Sequence, residues 1–428
     1  MGLIILLDKS TFNCLNYDEM SVFNRFYFFN ITPILIVEVL GDLTKTYKSG
    51  GSSAERVKHF ANKLYQADSG INMNCYPLIH GSLAGNQPPM MGSIVVDGGK
   101  DVTDKDGKKG VYLDMPAEEM ALDRWRSGKF LEAEELLSER WRKLTRNIDI
   151  SKLQKIKWSL PDKIVNSRDI KEIMQTLNEV MAAPEYQADL LKLMLEEFQI
   201  NQQFASAVFL RWEREQIKNL NTFAPYAFYC LKAFMLFCIA LSKNLIGEKP
   251  TNRIDLEYLY YLPFCMVFSS GDKVHNLLAP PLLREDQTFV DGALLKSDLI
   301  SIFQQWNNLT ESQKEEWNRS NRHRPPVNSY TFSLWKKHMR MDDNPKPKSA
   351  IDSSTQDNVD DNQVDFIIRE KRLAFTDPCH CNSGKMYRDC HLGKEAESMI
   401  KEGTISSSWP CYCNSGKTLL DCHMKHMK

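Results

Sequence analysis

LIILLD, residues 3–8, is a run of five apolar residues closed by an acid. A buried parallel strand reads this way. It is apolar at every position because both faces are covered, and its last residue opens onto the edge where ligands collect. The pattern returns at PFCMVFSSGD (263–272), a second apolar run closing on Asp272. A third short apolar piece covers 26–31. After it, Thr32 caps a helix with Pro33 in its first turn, and ILIVEVLGDLTKTY continues it. Leu35, Val39 and Leu43 supply that helix's core face, while Glu38 and Asp42, four residues apart, share another side. Towards the end of the alternation Asn252 caps RIDLEYLYYL and Pro263 stops it. A helix over 273–278, a Pro-Pro break, a strand over 288–291 and helices near 295–306 and 310–320 follow. Thr310, with Gln313 three residues on, opens the last of these. Strand–helix alternation of this kind predicts an α/β fold around a parallel sheet.

The rhythm breaks at KSGGSS (48–53) and resumes only near residue 250. Between them the periodicity is mostly helical, best over 117–145, 166–182, 184–220 and 224–243. Residues 93–97 and 110–114 flank a loop rich in Gly, Asp and Lys and read as a β-hairpin. That loop lacks the spaced acids and closing Glu of an EF-hand. The expected organisation is a discontinuous α/β domain of 1–48 and 246–310, split by a mainly helical insertion over 49–245 and followed by a helical extension over 311–341. Residues 342–363 (DDNPKPKSAIDSSTQDNVDDNQ) are polar, acidic and without aromatics, and read as a flexible linker ahead of a tail over 364–428.

Composition narrows the function classes. With 43% hydrophobic and 25% charged residues among 428, the chain is of ordinary globular type. Its formal net charge of −1 excludes coating of nucleic acid through bulk charge, so any such contact must be local. FAPYAFYCLKAFMLFCIAL (223–241) is nearly long enough to span a bilayer. Lys232 in its middle and Pro225 near its start assign it to a core helix, and no membrane partner is expected. Residues 1–7 are too short, and carry no positive leader, to read as a secretory signal. Of eleven cysteines, Cys14, Cys75, Cys230, Cys238 and Cys265 stand alone and read mostly as buried thiols. The other six cluster between 379 and 422, which suits metal binding in a reducing, cytoplasmic compartment.

Those six cysteines fall in two matching stretches, PCHCNSGKMYRDCH (378–391) and PCYCNSGKTLLDCH (410–423). Each offers three thiols and one imidazole, a tetrahedral ligand set for structural Zn²⁺: Cys379, Cys381, Cys390 and His391 in the first, and Cys411, Cys413, Cys422 and His423 in the second. A knot this small has almost no apolar core, so the metal would supply its folding energy. The two stretches resemble the SEC-C motif, a zinc module found on many bacterial proteins. The resemblance implies docking onto a partner protein, a ribosome-like particle or nucleic acid.

The remaining signal is acidic. Asp8 and Asp272 each end a predicted strand, Glu38 lies on the helix after the second strand, and Asp255 starts the helix before the Asp272 strand. In a parallel α/β sheet these positions converge on one edge. Carboxylates gathered there repel unless a hard divalent cation, Mg²⁺ or Mn²⁺, neutralises them, and such a cation suits phosphodiester hydrolysis with either one or two metals. Ser10 and Ser270 each lie two residues from an end-of-strand Asp, placed to orient a carboxylate or a water, and Asp42 is either an extra ligand or a surface acid. These stretches resemble a PIN-domain nuclease over residues 1–48 and 250–292, through LIILLDKS, ITPILIVEVLGDL and RIDLEYLYYLPFCMVFSSGD. The resemblance implies a PIN-like parallel sheet with helices on both faces, cutting RNA or DNA with Asp8, Glu38, Asp255 and Asp272 as the metal shell. Two features depart from the family: the interval of about 200 residues between the halves, and Lys9 after Asp8, whose amine can pair with a carboxylate. A catalytically inactive PIN-like adaptor, acting through the zinc tail, is the competing reading. Three basic clusters with tryptophan neighbours complete the list of candidates for nucleic-acid contact: Arg140, Arg142, Lys143 and Arg146 with Trp141; Arg319, Arg322 and Arg324 with Trp317; Lys336, Lys337 and Arg340 with Trp335.

Overall fold

The computed structural model describes residues 2–46, 52–96, 98–103, 109–150, 153, 169–217, 219–320, 324–339, 366–370 and 418. Along the chain these form β1 (Leu3–Leu7), α1 (Lys9–Cys14), α2 (Tyr17–Phe26), β2 (Tyr27–Ile31), α3 (Pro33–Leu40), α4 (Ser53–Gln66), β3 (Ser69–Ile71), α5 (Cys75–Ala84), β4 (Lys100–Thr103) and β5 (Lys109–Asp114). A helical stretch follows: α6 (Ala117–Arg126), α7 (Glu132–Arg146), α8 (Ile170–Ala182), α9 (Gln187–Glu197), α10 (Gln202–Glu215), α11 (Leu220–Phe223), α12 (Pro225–Ser242) and α13 (Asn252–Leu259). The chain then returns to the sheet through β6 (Val267–Ser270), α14 (Lys273–Leu278), β7 (Thr288–Asp291), α15 (Gly292–Asn307), α16 (Glu311–Ser320) and α17 (Tyr330–His338), with β8 (Phe366–Glu370) last.

The protein is α/β, as the alternation predicts. Five parallel strands run in the order β3-β2-β1-β6-β7, with Ile5 opposite Phe29 on one side and Val267 on the other. β1 is central and buried at all five positions, which is why it reads as an unbroken apolar run. β7 is the outer strand and mixes Thr288 and Asp291 with its apolar pair. The order reverses between β1 and β6. At such a switch point the loops leaving two neighbouring strands part in opposite directions and open a crevice at the carboxyl edge.

Local signals set the exits from the strands. The Thr32 hydroxyl accepts the Leu35 N–H at 3.3 Å, with Pro33 in the first turn of α3. Leu35, Val39 and Leu43 face the core as expected, but α3 ends at Leu40 rather than running on. Beyond it the Asp42 and Leu43 N–H groups reach back three residues, to Val39 and Leu40, tightening the chain into a turn. Thr310 and Gln313 close the reciprocal cap of α16.

Several boundaries differ from expectation. β3 lies inside the supposed insertion yet pairs with β2, so the sheet continues past residue 48. One continuous buried cluster joins the strands to α5, α8, α9 and α12, and residues 1–97 and 116–357 form one compact unit. Helices that share the sheet's core are not a separate domain. α12 is long and apolar enough to cross a membrane, but 78% of it is buried inside this unit. The extension also belongs to the core: in α17, Trp335 is buried with its indole N–H on the Phe26 carbonyl at 3.2 Å, and Thr331 meets the Tyr27 hydroxyl at 2.9 Å. Cys75, Cys230, Cys238 and Cys265 are buried free thiols, but Cys14 is exposed.

A second unit comprises residues 98–115 and 358–428. In it β4 and β5 pair antiparallel, and β8 pairs parallel with β5. The hairpin exists, but its first strand is 100–103 and not 93–97. Residues near 95 instead bond to the segment after β3, through the Met73 N–H on the Val95 carbonyl at 2.7 Å. The linker expected over 342–363 lies outside the described residues, as does every predicted zinc ligand: Cys379, Cys381, Cys390, His391, Cys411, Cys413, Cys422 and His423.

Asn30 stitches the first unit's sheet to its surroundings. Fully buried in β2, it donates to the Phe264 carbonyl at 2.8 Å and accepts from Asn72 at 3.1 Å. Asn30→Leu strands both partners without water, and urea denaturation is expected to show a loss of about 2 kcal/mol. An unchanged midpoint would refute that assignment.

Candidate functional site

The carboxyl ends of β1 and β6 open onto a cleft of about 310 Å³ at the switch point. It is lined by Asp8, Lys9, Ser10, Asn13, Glu38, Asp42, Lys45, Arg56, Phe60, Asp255, Tyr258 and Asp272. All four acids expected at this edge are there, with Ser10 and Asp42. Ser270 is not among the lining residues. It is buried behind them, receiving the Asp272 N–H at 2.9 Å and meeting His275 Nδ1 at 2.8 Å.

Each acid is held differently. Asp8 caps α1 and is only 3% exposed, with one oxygen accepting the Thr11 N–H at 3.0 Å and the other the Ser10 hydroxyl at 2.6 Å. Burial opposes its charge. The adjacent His275 and the Ser10 and Thr11 donors overcome that opposition and hold the carboxyl at about 2. Asp272 caps α14 by accepting the Val274 N–H at 2.7 Å. Asp42 is buried and meets the Lys9 amine at 2.9 Å and Lys45 at 3.6 Å, so it is neither a surface acid nor a free ligand. Lys9 also donates to the Glu38 carbonyl at 2.7 Å.

Glu38 and Asp255 carry the electrostatic load. Burial pushes the Glu38 carboxyl upward against Lys9 and against the Tyr258 hydroxyl, which donates to it at 2.5 Å; the charges of Asp8 and Asp42 add to the rise. Burial first, then Asp272, Glu38 and Asp8, push Asp255 up to about 7 despite the opposing influence of His275. The cleft therefore concentrates more negative charge than its own cations neutralise.

Sequence reasoning missed four contributors. His275 is fully buried against Asp8 at 3.7 Å, and its Nε2 donates to the Asp255 carbonyl at 2.8 Å. Its signal was its place three residues after Asp272, on the same face of a short helix. Tyr258 follows Asp255 by the same spacing. Arg56 and Phe60 arrive from α4, a helix assigned to the insertion, and nothing local in the sequence pointed to them.

The tryptophans beside the basic clusters are not open stacking platforms. Trp335 is buried, Trp317 packs edge-on against Trp306 with ring centroids 6.0 Å apart, and Trp141 lies against Gly41. α17 lies at the amino end of the strands, away from the cleft, where Lys337 bonds to the Gln287 carbonyl at 2.9 Å.

The donor set, oxygen-rich and carboxylate-dominated, has the chemistry of a hard divalent-cation site. Among the described residues no three His, Cys, Asp or Glu side chains stand at metal-holding spacing. Comparison with protein-family models, curated proteins and solved structures finds no match to the chain.

The raised Asp255 carboxyl has a signed consequence. Its folded value of about 7 lies above the unfolded value of about 3.9, so its contribution to stability is intact below about pH 4 and is lost as pH rises through 7. In EDTA, Asp255→Asn is expected to raise the melting temperature at pH 8, by on the order of 2 kcal/mol in stability, and to do little at pH 4. Equal effects at both pH values would contradict the crowding of these acids.

Proposed function

We propose that the chain is a metal-dependent nuclease of PIN-like fold, hydrolysing RNA or DNA phosphodiester bonds. The observation that carries the reading is the convergence of Asp8, Glu38, Asp255 and Asp272, drawn from both ends of the chain, on one cleft at the switch point of a parallel sheet. Buried or partly buried carboxylates raised as Glu38 and Asp255 are raised signal a site shaped for a counter-charge and not for packing.

Asp8, Glu38, Asp255 and Asp272 are the residues that would hold Mg²⁺ or Mn²⁺. When bound, the cation supplies charge stabilisation at the phosphate and makes a water more acidic. Asp8, ionised throughout the physiological range, is the fixed anchor, with Ser10 setting the orientation of one of its oxygens. Tyr258 holds Glu38 from the side, and Lys9 ties α3's end to α1 through Asp42. Burial and the neighbouring acids raise Asp255 to about 7 in the cation-free cleft, and a bound cation would favour its ionised form; in the hydrolysis a water oxygen bonds to phosphorus as the P–O ester bond breaks, and the water's proton passes through solvent to the leaving oxygen. Lys45 and Arg56 add positive charge to the rim where a phosphate enters.

The helical section supports the same unit that carries the cleft, and the tail would dock to a partner protein, a ribosome-like particle or nucleic acid through two SEC-C-like zinc modules. A bacterial, cytoplasmic setting follows from the clustered thiols and from the kind of protein that carries this motif. One observation favours the competing reading of an inactive adaptor: Lys9 already supplies the cleft with a cation of its own.

Wild-type protein is expected to degrade mixed RNA or single-stranded DNA in Mg²⁺ or Mn²⁺, with loss of at least about a hundredfold in Asp8→Asn. Melting curves give an independent check, since Mg²⁺ should stabilise wild type but not Asp255→Asn. Equal degradation by wild type and Asp8→Asn would sink the enzyme reading. For the tail, elemental analysis is expected to find two Zn²⁺ per chain, and one after Cys390→Ser. Retention of both in that variant would remove the zinc assignment.

A further inference from the structure

Beside the acidic cleft lies a second cavity. α7 is laid directly on the turn that follows α3. A Cβ on Gly41 would come within 2.5 Å of Trp141 Cδ1, so glycine is what lets the helix approach. Ser138 fastens the other side of this seam, accepting the Thr44 N–H at 3.3 Å and meeting its hydroxyl at 2.9 Å. The seam leaves a cavity of about 400 Å³ lined by Thr44, Glu139, Arg142, Lys143, Arg146 and Asn147.

The two concavities share one short turn. Asp42 and Lys45 line the acidic cleft, and Thr44 lines the second cavity. They have opposite character. Three cations face a single acid in the second cavity, and among the described residues no ion pair engages Arg142, Lys143 or Arg146. Nearer the start of α7, Glu134 is held by Arg124 at 2.5 Å. Arg142 and Arg146 stand one helical turn apart with Lys143 between them in sequence, and guanidinium groups pair with phosphate oxygens through two parallel N–H bonds.

A chain of net charge −1 with an acidic reaction cleft repels a polyanion unless cations beside the cleft draw it in. We infer that the Arg142–Lys143–Arg146 cavity is a backbone subsite that grips the phosphates of a nucleic-acid strand on one side of the bond presented to the acidic cleft. The inference rests on the nuclease reading and narrows it. The substrate is a strand that extends past the cut, not a mononucleotide or a small diester.

The test measures binding by fluorescence anisotropy with short labelled single-stranded RNA and DNA, using the full chain carrying Asp8→Asn to prevent turnover. Adding R142A, K143A and R146A is expected to weaken binding at least tenfold at low salt. The slope of log affinity against log salt should fall by about 2, the value for three lost phosphate contacts on a single strand. R146E with K143E, both at exposed positions, keeps the test available if truncation at half-buried Arg142 impairs folding. Unchanged affinity and slope in these variants overturn the subsite. Wild-type cleavage in Mg²⁺ is scored separately. Binding that depends on the three cations without any cleavage keeps the subsite and removes the nuclease reading, whereas cleavage with an unchanged slope does the reverse.

Discussion

Repulsion among carboxylates held at one sheet edge is the constraint around which this structure is organised. Two unit charges about 4 Å apart interact by about 4 kcal/mol where the effective dielectric is near 20, so four acids around a single cleft cannot all stay ionised without help. The protein relieves the pressure unevenly. Asp8 receives a histidine and two hydrogen-bond donors, Asp42 receives Lys9, and Asp272 receives a helix N-terminus. Glu38 and Asp255 are raised by burial first and then by the charges of the neighbouring acids. Neutral side chains would pack there at lower electrostatic cost, and that excess of buried acid is what the proposed cation site rests on.

The architecture exists to hold that edge rigid. β1 is covered on both faces, and its neighbour β6 comes from residues more than 250 positions later. Closing so long an interval requires a body that packs well along the way, and the helices from α4 to α13 supply it by sharing the sheet's core. α13 itself delivers Asp255 and Tyr258 to the cleft, and α4 delivers Arg56 and Phe60. The long middle section is thus part of the site's foundation. It does not simply interrupt a smaller domain.

Much of the site was legible because its signals are local. A strand buried on both faces is uniformly apolar, so LIILL and the acid that ends it stand out, and the same holds for the run ending at Asp272. Thr32 followed by Pro33 marks a helix start from sequence alone. What escaped reading depends on contacts that only the fold creates. β3 is the tripeptide SGI, too short for a periodicity, and it is a strand only because β2 offers its edge. Gly41 leaves room for Trp141, a hundred residues away, a requirement that no local pattern reports. His275 draws its role from burial between Asp8 and Asp255, contacts that its spacing from Asp272 hints at but does not specify.

The Gly41–Trp141 contact also explains why charge is arranged as it is. If α7 stood farther from the α3 turn, its three cations would act on the cleft only across solvent, where salt screens charge beyond a Debye length of about 10 Å. Seated on the turn, they share it with the acids, and a strand crossing it would meet positive charge before it meets negative. An acidic cleft and a basic cavity thus flank one four-residue turn in a chain with almost no net charge, and the proposed strand would lie across that turn.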